Sequence, residues 1–397
     1  MLNLIHLSSV ALVARVFIAL LGIAQLTLAI PIVGISGFAQ ISAALTFLSV
    51  GNILESALSW RLRFEVAQLG NTFDAIKLRN NTAIRNIKIC VPLFVIVVIF
   101  YCSTGEYFIR SCLSVVILIL INVIFLPWVR FLEGIGRQHI NIVLQLTSAF
   151  LIFLFFFTNL QDISIAKMIV ISSSLGWLSS FCSFIYCLFL RIDRNIGAEN
   201  DNGIVRPPIT ALQASIIVTA STLLFGMFPL LSHLLQTESM TAAIGVEIRI
   251  LALALSIISV VSTQFQVNRA STSDRSFTSK NSRLFVAAIS VVIAFLIIDW
   301  IAQRLILGTD INFVPLNSLP FGLLLGLVIC QIPSSTISLV EDGGRFQMKT
   351  YLASAGLFTV IVAAISSFHV SLAWAACASF GICHVIPICI KYRDESM

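Results

Sequence analysis

Twelve apolar runs, each about the length of a bilayer crossing, dominate this chain. They lie at approximately 10–33, 36–58, 89–106, 111–128, 141–160, 167–190, 210–235, 240–265, 284–307, 316–340, 350–369 and 371–390. A helix needs about 20 apolar residues to cross the hydrocarbon layer, and only helices and closed barrels satisfy their backbone there. A barrel would instead alternate in ~10-residue segments, which these runs do not do. With 58% hydrophobic and 11% charged residues, the chain has too little polar surface to coat a soluble globule. The predicted class is an all-α integral membrane protein with about twelve transmembrane helices.

The charges give an independent check on that number. Every second loop is basic: 59–88 carries Arg61, Arg63, Lys77, Arg79, Arg85 and Lys88, and 129–140 carries Arg130 and Arg137. The pattern continues through 191–209, 266–283, 341–349 and the tail, which together complete 19 of the 24 basic residues. The opposite loops hold only Arg110, Lys167 and Arg304, while Arg15 and Arg249 fall inside runs. A missed or extra helix would scramble this alternation. The positive-inside rule puts both termini in the cytoplasm. It also accounts for the net charge of +6 without a nucleic-acid partner, since no stretch forms a basic soluble face. The first run contains Arg15 and lacks a basic leader, so it reads as a retained span.

The nine cysteines lie in or beside the runs with no paired metal spacing, and read as small packing residues. Cys102 and Cys112 flank one external loop and are the pair that could join. His233, His369 and His384 are scattered and read as satisfied buried histidines rather than metal ligands. There is no phosphate loop, no nucleophile–base pair that can be placed on one site and no cofactor motif. The chain reads as a non-enzyme.

Two halves are visible. Glu133-Gly134-Ile135-Gly136-Arg137 returns as Glu341-Asp342-Gly343-Gly344-Arg345, 208 residues later, after the fourth and tenth runs. The same offset carries Gly37 onto Gly245 and Ala44-Leu45 onto Ala252-Leu253. The expected organisation is a six-helix lobe at 1–190, a polar linker at 191–209 and a second lobe at 210–397. Six spans per half preserve orientation, which implies parallel repeats about an axis along the membrane normal and a central cavity. The repeated motif reads as a turn or hinge at the seam. Pro31 and Pro229 sit in the first span of each half and are expected to bend it.

Buried polar residues are the candidates for substrate contact. Arg249 lies about nine residues, ~14 Å, into its run. A charge at that depth costs at least ~2.5 kcal/mol and must face a cavity or a partner. Gly245, Ala252, Ser256, Ser259 and Thr263 share its face at three-and-four spacing. Glu247 is turned about 200° away. Arg15 heads a stripe of small and polar residues that includes Gln25, either lining a cavity or snorkelling to the headgroups. In the second span Gln40, Ala44, Gly51 and Glu55 share a face. Glu55 is either an ion-coupling site or a helix-end carboxylate paired with a loop arginine such as Arg61. Glu247 is the other carboxylate considered for coupling. Asp299, with Gln303 and Arg304, reads as interfacial. Asn52, Asn122, Gln264 and Gln331 read as interhelical hydrogen-bonding residues. In loop 59–88, Trp60, Phe64, Phe73 and Ile76 interleave with basic residues, as in an interfacial helix on anionic headgroups or a basic solvated loop.

Several of these segments together resemble a known family. They are Gly37-Phe38-Ala39-Gln40 opening the second span with Gly51…Glu55 at its end, and Ala67-Gln68-Leu69-Gly70-Asn71. Phe131 through Arg137, running on to Asn141, and Gly245-Val246-Glu247-Ile248-Arg249 complete the set. The layout resembles the O-antigen and polysaccharide flippases of the multidrug/oligosaccharidyl-lipid/polysaccharide exporter superfamily. The resemblance implies two lobes around a cavity that flips a polyprenyl-pyrophosphate-linked oligosaccharide across the bacterial inner membrane by alternating access. It gives Arg15 and Arg249 the role of attracting the phosphate, with Gln25, Gln40 and Ser256 as further cavity residues. Membrane lipids and polysaccharide polymerase or assembly proteins are the implied partners. The alternatives are a drug or cation exporter of the same superfamily and a major-facilitator-type transporter. The second lacks its Gly-x-x-x-Asp-Arg loop motif in 59–88, and no external loop is large enough for a membrane-embedded glycosyltransferase.

Overall fold

A computed structural model describes residues 2–69, 73–159, 164–190, 210–235, 241–252, 281–307, 315–341, 343–365 and 372–391, with 254, 255, 258 and 262. Among these residues the chain is helical with short turns and no strand. It divides into two compact units, Met1–Ala211 and Leu212–Met397. The segment 191–209, expected as a linker, lies outside the described residues.

In the first unit the helices are α1 (Leu2–Leu45), α2 (Leu48–Leu58), α3 (Trp60–Leu69), α4 (Phe73–Ser103), α5 (Tyr107–Gly134), α6 (Gln138–Thr158) and α7 (Ile165–Phe189). In the second they are α8 (Ala211–Phe225), α9 (Phe228–Leu235), α10 (241–252), α11 (Asn281–Leu307), α12 (Pro315–Glu341) and α13 (Arg345–Ile365). The last helix runs as α14 (Leu372–Phe380), a π-helical segment (Gly381–Val385) and α15 (Ile386–Lys391). Among the described residues six helical stretches are long and apolar enough to cross a membrane: α4, α5, α6, α7, most of α13 and the continuous 372–391 helix. Five shorter apolar helical stretches lie in 13–22, 30–45, 212–225, 288–302 and 318–332. The chain is a multi-pass helical membrane protein.

Four boundaries differ from the hydropathy reading for identifiable reasons. The first two runs are joined in α1, which turns at Gly34 (φ 73°) rather than through a loop. Nothing lies within 4 Å of a Cβ placed there, so the glycine serves backbone conformation, not space. The second run is then interrupted before α2, and the seventh between α8 and α9, with Pro229 in the first turn of α9. The third run begins 16 residues earlier than expected, because 73–88 is helix. Ala75, Thr82, Ala83 and Asn86 turn inward at helical spacing, while the exposed Lys77, Arg85 and Lys88 lower its hydropathy.

In the first unit α5 is central. It packs against α7, α4, α3 and α2, while α1 packs on α6 and α7. Helix α3 is amphipathic as expected, but its inward face meets protein: Leu62 and Val66 join Ala75, Phe131, Leu132 and Cys187 in one cluster. Gly37 and Gly51, quoted above for the resemblance, are close-approach points. A Cβ on Gly37 would stand 3.2 Å from Ile165, and one on Gly51 3.0 Å from Ile119. Asn86 ties three elements by donating to Ser59 Oγ and the Val123 carbonyl, both at 2.9 Å. Asn122 accepts from Ser180 at 2.7 Å across α5 and α7, whereas Asn52 is exposed. The outer face of α4 exposes Ile84, Val91, Val95, Ile99 and Phe100, the surface lipid tails would cover.

In the second unit Phe228 of α9 meets Phe321 of α12 and Phe358 of α13 edge-on, and Phe225 of α8 meets Phe380 of α14. All nine cysteines are free thiols, Cys102 and Cys112 included.

Candidate functional site

The strongest polar construction in the first unit forms where α5 ends. Arg130 pairs with Glu55 of α2 and, one helical turn on, with Glu133 at 2.5 Å. Glu133 also acts electrostatically on Arg15 of α1 and Arg63 of α3. Arg130 thus joins Glu55 of α2 to Glu133, and Arg15 of α1 and Arg63 of α3 lie within the electrostatic reach of Glu133. Arg63 is buried with its guanidinium against the rings of Trp60 and Phe64, at 5.1 and 4.7 Å. Burial pulls its pKa down to about 10, and Glu133 works in the opposite direction.

The turn that follows explains the repeated motif. Arg137 N–H bonds the Leu132 carbonyl at 2.8 Å and Gly136 N–H the Glu133 carbonyl at 3.1 Å, a Schellman closure. Gly136 has φ 75°, the left-handed conformation that the closure requires. Gly134 serves contact instead. A Cβ there would sit 2.7 Å from Val66 and 2.8 Å from the Arg63 carbonyl. In the second copy Gly343 and Gly344 have φ 64° and 72°, and Gly344 N–H bonds the Ser338 carbonyl at 2.8 Å. Both copies are thus glycine turns ending a helix. Only in the first is the glutamate's side chain among the described residues, and there it is a charge node as well as part of a turn.

The sequence-predicted residues fall as follows. Arg15 is half-buried on α1 within reach of Glu133's field. Gln25 is buried, and its Nε2 has no hydrogen-bond partner among the described residues. Gln40 is half-buried near the end of α1. Glu55 is engaged by Arg130 of α5, not by Arg61, which pairs with Glu65. Arg249 is half-buried on α10, and Glu247 is fully buried and accepts from Ser318 of α12 at 3.5 Å. Asp299, read above as interfacial, is fully buried in α11. Ser256 lies outside the described residues, as do Ser259 and Thr263.

Sequence reasoning missed Arg130 and Glu133 as members of the charge node. The available signal was their i, i+3 spacing at a helix end, the position where a buried pair can form.

The second unit holds, besides the buried Glu247 and Asp299, a neutral hydrogen-bonded cluster. His384 of the π segment is fully buried with Nδ1 2.7 Å from Thr350 Oγ1 and Nε2 2.6 Å from Gln331 Oε1. No metal-ligating group of three or more acidic, cysteine or histidine side chains occurs among the described residues.

The fold has solved counterparts. The chain is similar to a solved structure of the MATE multidrug transporter DinF-BH, with a TM-score of 0.66 over 98% of this chain and 95% of that one. Sequence identity is 14%, so the likeness is one of fold. A second solved chain, named protein A, gives a TM-score of 0.68 at 14% identity over the same shares. No family model matches the sequence, and no curated protein does.

Proposed function

We propose that the chain is an exporter of the multidrug/oligosaccharidyl-lipid/polysaccharide superfamily that flips a polyprenyl-pyrophosphate-linked oligosaccharide across the bacterial inner membrane. Twelve spans in two lobes, both termini in the cytoplasm and alternating access about a central cavity complete this reading. It rests on the likeness to the MATE fold and on the basic-loop alternation.

One observation carries the choice of an anionic substrate. Around Glu133 three arginines (Arg15, Arg63 and Arg130) stand against two carboxylates, and the acid expected to be available, Glu55, is held by Arg130. The node has a cationic excess, and Arg15 belongs to a membrane helix whose stripe is small and polar. Arginine forks suit phosphate oxygens. Arg249 is the equivalent cation of the second unit, with Gln25, Gln40 and Ser256 as sugar- or phosphate-contacting candidates. Membrane lipids and the proteins that polymerise or assemble the glycan are the expected partners.

The buried carboxylates Glu247 and Asp299 favour a second reading, an exporter of cationic drugs. Expression in a strain whose surface polysaccharide depends on this protein separates the two. Arg15→Ala and Arg249→Ala are expected to abolish surface polysaccharide at normal expression while leaving dye accumulation unchanged. Wild-type polysaccharide in both variants, with loss of dye efflux in Glu247→Gln, would replace the first reading by the second.

A further inference from the structure

Arg79 and Arg137 belong to the basic loops of the chain but not to the ionic interior around Glu133. Arg79 lies on the inward face of α4, at the helical spacing of the buried Ala75, Ala83 and Asn86. Its guanidinium stands 5.0 Å from the Phe131 ring and 5.9 Å from the Trp128 ring of α5. Arg137 follows the glycine turn that ends α5, and its Nη1 is 3.4 Å from the Tyr186 hydroxyl of α7. Both guanidiniums act on the thiol of the next residue, Cys187. Two arginines from separate elements therefore converge on the last turn of α7.

Neither has an acidic partner among the described residues. The ion pairs there are Arg61–Glu65, Arg130–Glu55 and Arg130–Glu133. Arg79 donates instead to Asn80 Oδ1, at 2.9 and 3.1 Å. Asp74, the carboxylate nearest Arg79 in sequence, is turned about 140° round α4. Nor does either arginine donate to a carbonyl of α7 among the described residues, as a side chain capping that helix end would. Both are half-buried, so a ligand can reach them.

Helix length fixes their depth. The Ala166 N–H donates to the Tyr107 hydroxyl at 2.9 Å, which sets the starts of α5 and α7 at one level, and a short turn joins α4 to α5 there. Arg79 is ~36 Å along α4 from Ser103, Trp128 ~32 Å along α5 from Tyr107, and Cys187 ~33 Å along α7 from Ile165, at 1.5 Å per residue. The hydrocarbon core is ~30 Å thick. The arginine pair thus stands just past the hydrocarbon, in the layer of lipid phosphates. Trp128 lies at the boundary where indoles concentrate. On the same last turn of α7, Leu188 and Phe189 are 62% and 81% exposed, an apolar surface beside the cations.

We propose that Arg79 and Arg137 form a binding site for the phosphate of an anionic phospholipid in the leaflet on the side of the basic loops. The site needs only a multi-pass membrane protein and does not rest on what the chain exports. The phosphodiester sits between the two guanidiniums, whose forks donate to its charged oxygens. The acyl chains lie along Leu188 and Phe189. With no carboxylate at hand for an ammonium group, the site prefers an anionic to a zwitterionic headgroup.

The test is native mass spectrometry of the purified full-length protein in neutral detergent, titrated with phosphatidylglycerol or phosphatidylethanolamine of matched chains. Wild type is expected to bind one phosphatidylglycerol about 30-fold more tightly than phosphatidylethanolamine, the combined contribution of two arginines. The double variant Arg79→Gln/Arg137→Gln is expected to lose that preference. The double variant Lys77→Gln/Lys88→Gln removes the same charge from the exposed face of α4 and should keep it. Millimolar inorganic phosphate should leave the bound lipid in place. A wild-type protein without the preference, or equal losses in the two double variants, overturns the proposal. Displacement by inorganic phosphate also overturns it, by making the ligand a soluble anion. Should the arginine variant not fold, the wild-type preference and the phosphate competition still decide. Tight phosphatidylglycerol binding in a chain that moves no glycolipid would sustain the site and sink the export reading. Glycolipid movement without the lipid preference would do the reverse.

Discussion

The two units arrange their buried polar groups differently. In the first, the polar interior is ionic: Arg130, Glu55 and Glu133 are paired, and Arg15 and Arg63 lie in their field. In the second, Gln331, Thr350 and His384 form a neutral hydrogen-bonded cluster, while the carboxylates Glu247 of α10 and Asp299 of α11 are buried in the same unit. Both units nevertheless end a helix with the same kind of glycine turn. Similar turns therefore do not impose similar electrostatics around them. A turn needs only backbone conformation. A buried charge survives only with its partners, which come from several helices.

The largest effect should come from breaking the ionic interior. Arg130→Met leaves Glu55 and Glu133 with side chains only 16% and 9% exposed and without their cation. The expected loss is about 3–5 kcal/mol, read as a fall in unfolding temperature of the purified protein. Adding Glu55→Gln and Glu133→Gln to the same chain should recover most of it. An unchanged unfolding temperature in the single variant would mean that the node is not structural.

Gly134→Ala tests the docking of α3 on α5. The new methyl would press on Val66 and on the Arg63 backbone, which cannot rotate away. We expect a loss of about 1–3 kcal/mol, together with faster proteolysis between 59 and 72. Wild-type protease resistance would show that α3 is held by other contacts.

The paired turns should respond alike. Gly136→Ala and Gly344→Ala each place a side chain at positive φ, with an expected cost of about 1–2 kcal/mol. A marked inequality in unfolding temperature would break the equivalence of the two turns. Smallest is Gly356→Ala in α13, where a Cβ meets nothing within 4 Å. It should stabilise by about 0.5–1 kcal/mol through the backbone alone, and a loss of stability would mean that the site is more crowded than its geometry.

Much of this fold was legible because hydropathy and loop charge report on the solvent, which acts on every residue of a span. The apolar runs located the crossing-capable helices, and the Glu-x-x-Gly-Arg repeat located both glycine turns. The helix at 73–88 was hidden because its outward lysines and arginines lower the average that a hydropathy reading uses. The partner of Glu55 was misplaced for another reason. Arg61 is near in sequence, but Arg130 is brought close only by the packing of α2 on α5. For His384, the sequence held the residue and its expected burial. Its hydrogen bonds with Thr350 and Gln331 arise only from the meeting of α12, α13 and the π segment.

The central claim is that a cation-bearing membrane interior moves a phosphate-linked glycan between leaflets. The direct measurement is reconstitution of the purified protein in liposomes carrying a fluorescent polyprenyl-pyrophosphate oligosaccharide. An impermeant reagent then reports, over time, the fraction of lipid in the outer leaflet. The account predicts rapid exchange of the inner-leaflet lipid with wild-type protein, and a rate at least tenfold lower in Arg15→Ala and Arg249→Ala of equal stability. Exchange no faster than in protein-free liposomes, or equal rates in wild type and both variants, would contradict it.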